Sequence, residues 1–219
     1  MMQRHFDDEL RDLKENLVCM GNVVEDMFQK AMDSLLEREE KLAQEVIDRD
    51  DEVDRLEVKI ENMSIELIVL RQPVASDLRK IITALHINRQ LERMGDKAAN
   101  IAERSIKLLG YPPVKPYVDL PRAFEIVRSM VSDTLDAYMK CDIKLAIDVI
   151  ERDGKVDELR DQIFRELLTY MLEDSKYIRP ALEIILVSRH IERIGDLATD
   201  ISEEIIYTVQ GEIVKHQFD

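Results

Sequence analysis

One stretch of this chain occurs twice. Lys41-Leu42-Ala43, followed by Val46-Ile47 and Arg49-Asp50, returns as Lys144-Leu145-Ala146, Val149-Ile150 and Arg152-Asp153. Further on, Leu91-Glu92-Arg93-Met94-Gly95-Asp96 returns as Ile191-Glu192-Arg193-Ile194-Gly195-Asp196, with the two blocks three residues closer together in the second copy. A repeat of about half the chain is too long for a solenoid unit. Whatever the first half folds into, the second must fold into again.

Apolar spacing says what that unit is. Phe6, Leu10, Leu13, Leu17, Met20, Val24, Met27 and Ala31 recur at intervals of four and three, a helical seam. A second seam, Val53, Leu56, Ile60, Met63, Leu67 and Leu70, stops at Arg71-Gln72-Pro73, because proline keeps the residue before it out of the right-handed helical region. A third helix begins near Ser76 or Asp77, runs through Ile81, Leu85, Leu91, Ala98 and Ala102, and reaches Gly110, a natural C-terminal stop. Four of the six prolines (Pro112, Pro113, Pro116, Pro121) crowd into one short joint. Beyond it the pattern repeats, with helices expected over 120–140, 142–172 and 175–210, the last ending before Gly211. No segment alternates as a strand would. The expected fold is all-α: two tandem three-helix bundles over 1–111 and 122–219, joined by a Pro-rich linker at 112–121.

With 219 residues, 45% of them hydrophobic, the chain can bury about 70% of its unfolded surface, so disorder is excluded. A net charge of −15 makes nucleic acid and anionic lipid poor partners and favours cations and basic protein surfaces. Cys19 and Cys141 are too few and too far apart for a disulfide framework or a zinc site, and are expected to be small buried hydrophobes. No apolar run approaches the roughly 18 residues of a membrane span, and the first residues are charged where a signal peptide would be apolar. A cytoplasmic protein without membrane insertion is expected.

Each half carries two acid pairs at i, i+4: Asp50 with Asp54 and Glu92 with Asp96, then Asp153 with Asp157 and Glu192 with Asp196. Residues four apart share a helix face. Asp54 and Glu92 are equidistant from Pro73, as are Asp50 and Asp96; in the second half the pairs are centred on the Asp174/Ser175 junction. An antiparallel hairpin therefore brings four carboxylates to one level, roughly 28 Å from its turn at about 1.5 Å per residue. Two carboxylates about 6 Å apart repel by nearly 3 kcal/mol at an effective dielectric near 20. Protons, arginines or metal ions must neutralise them. Arg49, Arg89 and Arg93, echoed by Arg152, Arg189 and Arg193, are placed to pair with some of these acids, in which case the level is a surface salt-bridge lattice. Against that, the acids flank the seam. Gly95 and Gly195 each sit between two acids, although an interior glycine costs about 1 kcal/mol relative to alanine, so close helix packing or room for an ion or water is expected there. Any metal would meet an all-oxygen donor set, which suits hard ions such as magnesium, manganese or iron.

Catalytic signatures are missing. The residues three before His86 and His190 are Thr83 and Val187, so the Glu-x-x-His pairs of a di-iron bundle are lacking. The four histidines, His5, His86, His190 and His216, are not repeated between the halves and read as structural or solvated. No nucleophile elbow, Walker loop or dinucleotide turn occurs, and a non-enzymatic protein is expected.

Arg71-Gln72-Pro73-Val74-Ala75-Ser76-Asp77-Leu78-Arg79, then Leu91-Glu92-Arg93-Met94-Gly95-Asp96 running into Asn100-Ile101-Ala102-Glu103, resemble the PhoU family of phosphate transport regulators. Met20-Gly21, Glu25-Asp26-Met27 and the second Glu-Arg-Ile-Gly-Asp extend the resemblance over nearly the whole chain. It implies two three-helix bundles carrying multinuclear metal clusters on Glu/Asp-x-x-x-Asp motifs. By position it implies ligand roles for Asp50, Asp54, Glu92 and Asp96, and for Asp153, Asp157, Glu192 and Asp196, with Asn100 and Asp200 as supplementary ligands. Asp51, Glu52 and Glu57 become Gly154, Lys155 and Arg160 in the second repeat, which lowers its negative charge. The resemblance also implies negative regulation of phosphate uptake and of the phosphate-starvation response. The implied partners are the ATP-binding subunit of a phosphate ABC transporter and a sensor histidine kinase, and the implied assembly is a homodimer. The competing reading is a helical metal-buffering or scaffolding protein unrelated to phosphate.

Overall fold

The computed structural model describes residues 2–210, which form six α-helices: α1 Met2–Glu37, α2 Glu40–Arg71, α3 Ser76–Leu109, α4 Asp119–Lys140, α5 Ile143–Glu173 and α6 Ile178–Gln210. A single 3-10 turn, Ser175–Tyr177, precedes α6, and no strand occurs among the described residues. Gly211 and His216 lie outside them, as does the side chain of His5.

The seams are the core. From Leu10 to Ala31 every α1 seam residue is buried, as are Val53, Ile60 and Leu67 on α2 and Ile81, Leu91, Ala98 and Ala102 on α3. Burying each large aliphatic side chain contributes about 1.5–3 kcal/mol. Truncating one at the centre, such as Leu17→Ala, costs about 2–5 kcal/mol because the void does not close. Leu70 departs from the pattern: it is exposed beside Val69 and Val74 at the tip of the α2–α3 hairpin.

The duplication extends to backbone conformation. Arg38 ends α1 and Cys141 ends α4, both left-handed with φ 58° and 53°, and the next amide donates back to Ser34 O at 3.1 Å or Ala137 O at 3.0 Å. Cys141 therefore terminates a helix on the surface, and Cys19 lies on the outer face of α1 between buried Leu17 and Met20, so both cysteines are exposed and not buried as expected. Gly110 is the stop expected for α3, as its C-cap. Its φ of −72° is right-handed; α3 ends where Pro112 and Pro113 cannot continue it, and Arg38 Nη2 donates to the exposed carbonyls of Leu108, Leu109 and Tyr111 at 3.2, 3.2 and 2.9 Å.

The Pro-rich joint is pinned to the second half. Lys115 pairs with Glu166 of α5, Val114 is buried, and buried Asp119 accepts from Gln162 at 2.8 Å. Because α4 begins at Asp119, Leu120 and Pro121 of the expected linker lie in its first turn, where a proline needs no amide partner.

Helices α1, α2 and α3 pack together, as do α4, α5 and α6, and α3 packs on α6 as extensively as helices do within a half. One apolar cluster runs through both halves. Helices α3 and α6 are antiparallel: Thr83 meets Thr208 at 2.6 Å and Arg104 meets Glu183 at 3.0 Å. Beside them α1 touches α4 through Phe28 and Phe124, ring centres 4.7 Å apart, and through Gly21, where a Cβ would overlap Leu135.

Candidate functional site

Pairing α2 with α3 places the acids of the first half at one level. Asp50, Glu92 and Asp96 are half-buried and Asp54 is exposed. Burial raises the Asp50 carboxyl, and next to burial the largest influence is the charge of Asp96, across the helix pair, followed by Asp54 and Asp51. Glu92 is raised by burial and then by Asp96, Glu57, Asp54 and Asp50. A level of at least five carboxylates results, with Glu57, one turn beyond Asp54, as an unforeseen member. Its own carboxyl is raised by burial, Glu61 and Asp54, with only the field of Arg89 opposing.

The second level repeats this arrangement on α5 and α6. Asp153 is pushed up to about 6, first by burial and then by Asp196, Asp157 and Glu192. Glu192 is raised by burial and Asp196. Here, however, Arg160 enters the site: its Nη1 donates to Asp157 Oδ1 at 2.8 Å and to Glu192 Oε1 at 2.6 Å. Arg160 occupies the repeat position of Glu57. One long side chain thus supplies a counter-charge that the first level lacks.

Of the six arginines named from sequence, two pair with acids elsewhere. Arg49 reaches Asp26 on α1 and Glu52, at 3.1 Å. Arg152 reaches Asp133 on α4 at 2.6 Å and Asp148 at 2.9 Å. Arg93 donates to Gln90, and only Arg193 binds a level acid, Asp196, at 2.7 Å. Arg49 and Arg152 therefore tie the hairpins to the first helix of their bundle, because their side chains leave the helix on the α1 or α4 side. The supplementary positions also diverge: Asn100 Nδ2 donates to the Asp96 carbonyl at 2.6 Å, while Asp200 accepts from Gln90 of α3 at 3.3 Å.

The two glycines are explained by packing. A Cβ on Gly95 would stand 3.2 Å from Val53 Cγ1, and one on Gly195 would stand 3.4 Å from Val127 Cγ2 and 3.6 Å from Asp153 Oδ1. Each lets a neighbouring helix approach between two acids. Among the described residues no three His, Cys, Asp or Glu side chains are gathered tightly enough to grip one ion. The donor set itself is all oxygen and mutually repelled, which fits a hard cation able to draw these carboxylates inward; the first level fits better, since no arginine bridges its acids.

A protein-family model described as the PhoU domain matches residues 17–105 and again 120–205. A homologue of the phosphate-specific transport system accessory protein PhoU from Aquifex aeolicus is 47% identical over 95% of each chain. The crystal structure of PhoU from Pseudomonas aeruginosa superposes with a TM-score of 0.92 at 38% identity, covering 94% of this chain and 100% of that one. The phosphate transport system regulatory protein PhoU from Streptococcus pneumoniae gives 0.88 at 26% identity, covering 96% and 99%. Two matched repeats on two three-helix bundles, and a relative 47% identical over nearly the whole chain, agree on one conclusion: the chain belongs to the PhoU family.

Proposed function

We propose that this protein is a non-enzymatic regulator of phosphate uptake, restraining the transporter and the phosphate-starvation response by contact with the transporter's ATP-binding subunit and a sensor histidine kinase. Relatives at 38–47% identity are named as accessory proteins of the phosphate-specific transport system, which ties the chain to phosphate transport. No helix among the described residues is long and apolar enough to cross a membrane, which suits a cytoplasmic adaptor acting on the inner faces of membrane proteins, as a homodimer. The observation that carries the reading is the first acid level, where Asp50, Asp54, Glu57, Glu92 and Asp96 oppose one another without a bridging arginine.

Asp50, Asp54, Glu92 and Asp96 would hold a hard cation such as iron, manganese or magnesium, with Asn100 beside them; Asp153, Asp157, Glu192 and Asp196 are the corresponding set. Bound there, a cation supplies positive charge and no redox or hydrolytic step is required of it. Neutralising the level changes the field that α2 and α3 present, and so tunes affinity for a basic partner surface. The test compares wild type with Glu92→Gln/Asp96→Asn by elemental analysis and by binding to the transporter's ATP-binding subunit. Loss of metal together with altered binding is expected. Unchanged metal content and unchanged binding would sink the metal-tuned mechanism, and absence of transporter or kinase binding in any metal state would favour a buffering or scaffolding protein.

A further inference from the structure

The α3–α6 seam carries two grooves that the duplication relates. One, of about 320 Å³, is lined by His86, Arg89, Gln90 and Arg93 of α3 and by Asp200 and Glu204 of α6. Its two carboxylates offset its two arginines; Asp200 also accepts from Gln90, and Glu204 lies 3.3 Å from His86. The other, of about 610 Å³, is lined by Lys97, Arg160, Arg189, His190 and Arg193, with Asp161 and Glu192 as its only carboxylates. Asp200 and Glu204 correspond in the repeat to Asn100 and Arg104. The acids that fill the first groove are thus absent from the positions that would fill the second.

The larger cleft is the exception on a chain of net charge −15. Arg160 holds Asp161 and Glu192, and Arg193 holds Asp196. Lys97 and Arg189 meet no carboxylate among the described residues, and His190 Nε2 is buried without a hydrogen-bond partner. Phe164, 44% exposed, and Ile185 add an apolar wall.

We propose that this cleft between α3, α5 and α6 binds the phosphoryl group of a small molecule through Lys97 and Arg189, with Arg160 and Arg193 adding positive charge to its wall. A guanidinium fork and a lysine ammonium drawn from two helices suit the several oxygens and double charge of a phosphoryl group. The shared chemistry has two sources, free inorganic phosphate or a nucleotide whose base rests on Phe164. The proposal stands on the cleft and not on the regulatory reading, whose metal test changes Glu92 and Asp96, neither of which lines the cleft.

The test titrates the full chain, with chelator present, by calorimetry and amide NMR using inorganic phosphate, AMP and adenosine. Saturable binding with Kd between about 10 μM and 1 mM is expected, weakened about tenfold by Arg189→Gln and again by Lys97→Gln. Saturation by phosphate identifies the free ion; saturation by AMP with neither phosphate nor adenosine binding identifies a nucleotide; either supports the site. Arg189 is exposed, so its variant keeps the fold, and the circular dichroism of both variants verifies this. No saturation by either anion up to about 20 mM, or binding unchanged in the double variant, overturns the proposal.

Discussion

In the first half Glu57 adds a further carboxylate beside Asp54 and Glu92, whereas in the second half the corresponding Arg160 donates to Asp157 and Glu192. The backbones, the acids and the glycines between them repeat; the means of neutralisation does not. A duplicated scaffold has thus separated a level that carries its own cation from one that leaves the charge to protons or to an ion from solution. The same divergence recurs in the grooves, where Asp200 and Glu204 line one and the corresponding Asn100 and Arg104 supply no carboxylate to the other.

Arg160→Glu breaks this comparison most strongly, since it makes the second level resemble the first. It should destabilise the metal-free chain by about 2 kcal/mol, through two lost charge-assisted bonds and new repulsion. Urea unfolding measures the loss, and added manganese should recover part of it. If Arg160→Glu leaves the midpoint unmoved, Arg160 is a solvated surface residue.

The glycines sharpen the packing side. Gly95→Ala drives a methyl against buried, stiff Val53, while Gly195→Ala makes ordinary contacts with Val127 and Asp153. Gly95→Ala should therefore be less stable than Gly195→Ala by about 1–2 kcal/mol in parallel thermal melts, even though both gain helix propensity.

Acid titration offers a third comparison. The Asp153 carboxyl lies near 6 when folded and near 3.8 when unfolded, so the native state binds its proton more tightly. Its ionised form costs stability above pH 6, and that cost is relieved as pH falls from 6 towards 3.8. Asp153→Asn should then stabilise the protein at pH 7.5 by about 1 kcal/mol after allowance for solvent screening, with the gain gone by about pH 4. A gain of equal size at both pH values contradicts the assignment. The smallest effect is expected at Gly154, where a methyl meets nothing within 4 Å: Gly154→Ala should raise stability by about 0.5–1 kcal/mol.

Much of this was legible in the chain. Helix ends at Gln72 and near Asp174, the six-helix order and the convergence of Asp50 with Asp96 follow from local rules, because proline, capping aspartates and a constant rise per residue act over a few residues. The partners of the arginines were not legible. Arg49 and Arg152 pair with α1 and α4, and Arg160, read only as a charge change, became the bridge. A guanidinium reaches across about two helix turns of possible partners, and which it takes depends on the rotation of neighbouring helices. Leu70 and the two cysteines failed for a related reason: periodicity identifies a face, but burial requires another helix to extend over it.

The sequence by itself determined that the chain is helical, duplicated and jointed at its prolines, and that each half brings acids to one level, since these depend on spacing along one chain direction. Tertiary structure decided that α3 and α6 fuse the halves around one core, that one acid level is bridged and the other is not, and that a cationic cleft opens on an acidic protein. Those outcomes arise where side chains from distant segments meet, and the energy of such meetings is set by distance and burial, which no spacing along a single helix contains.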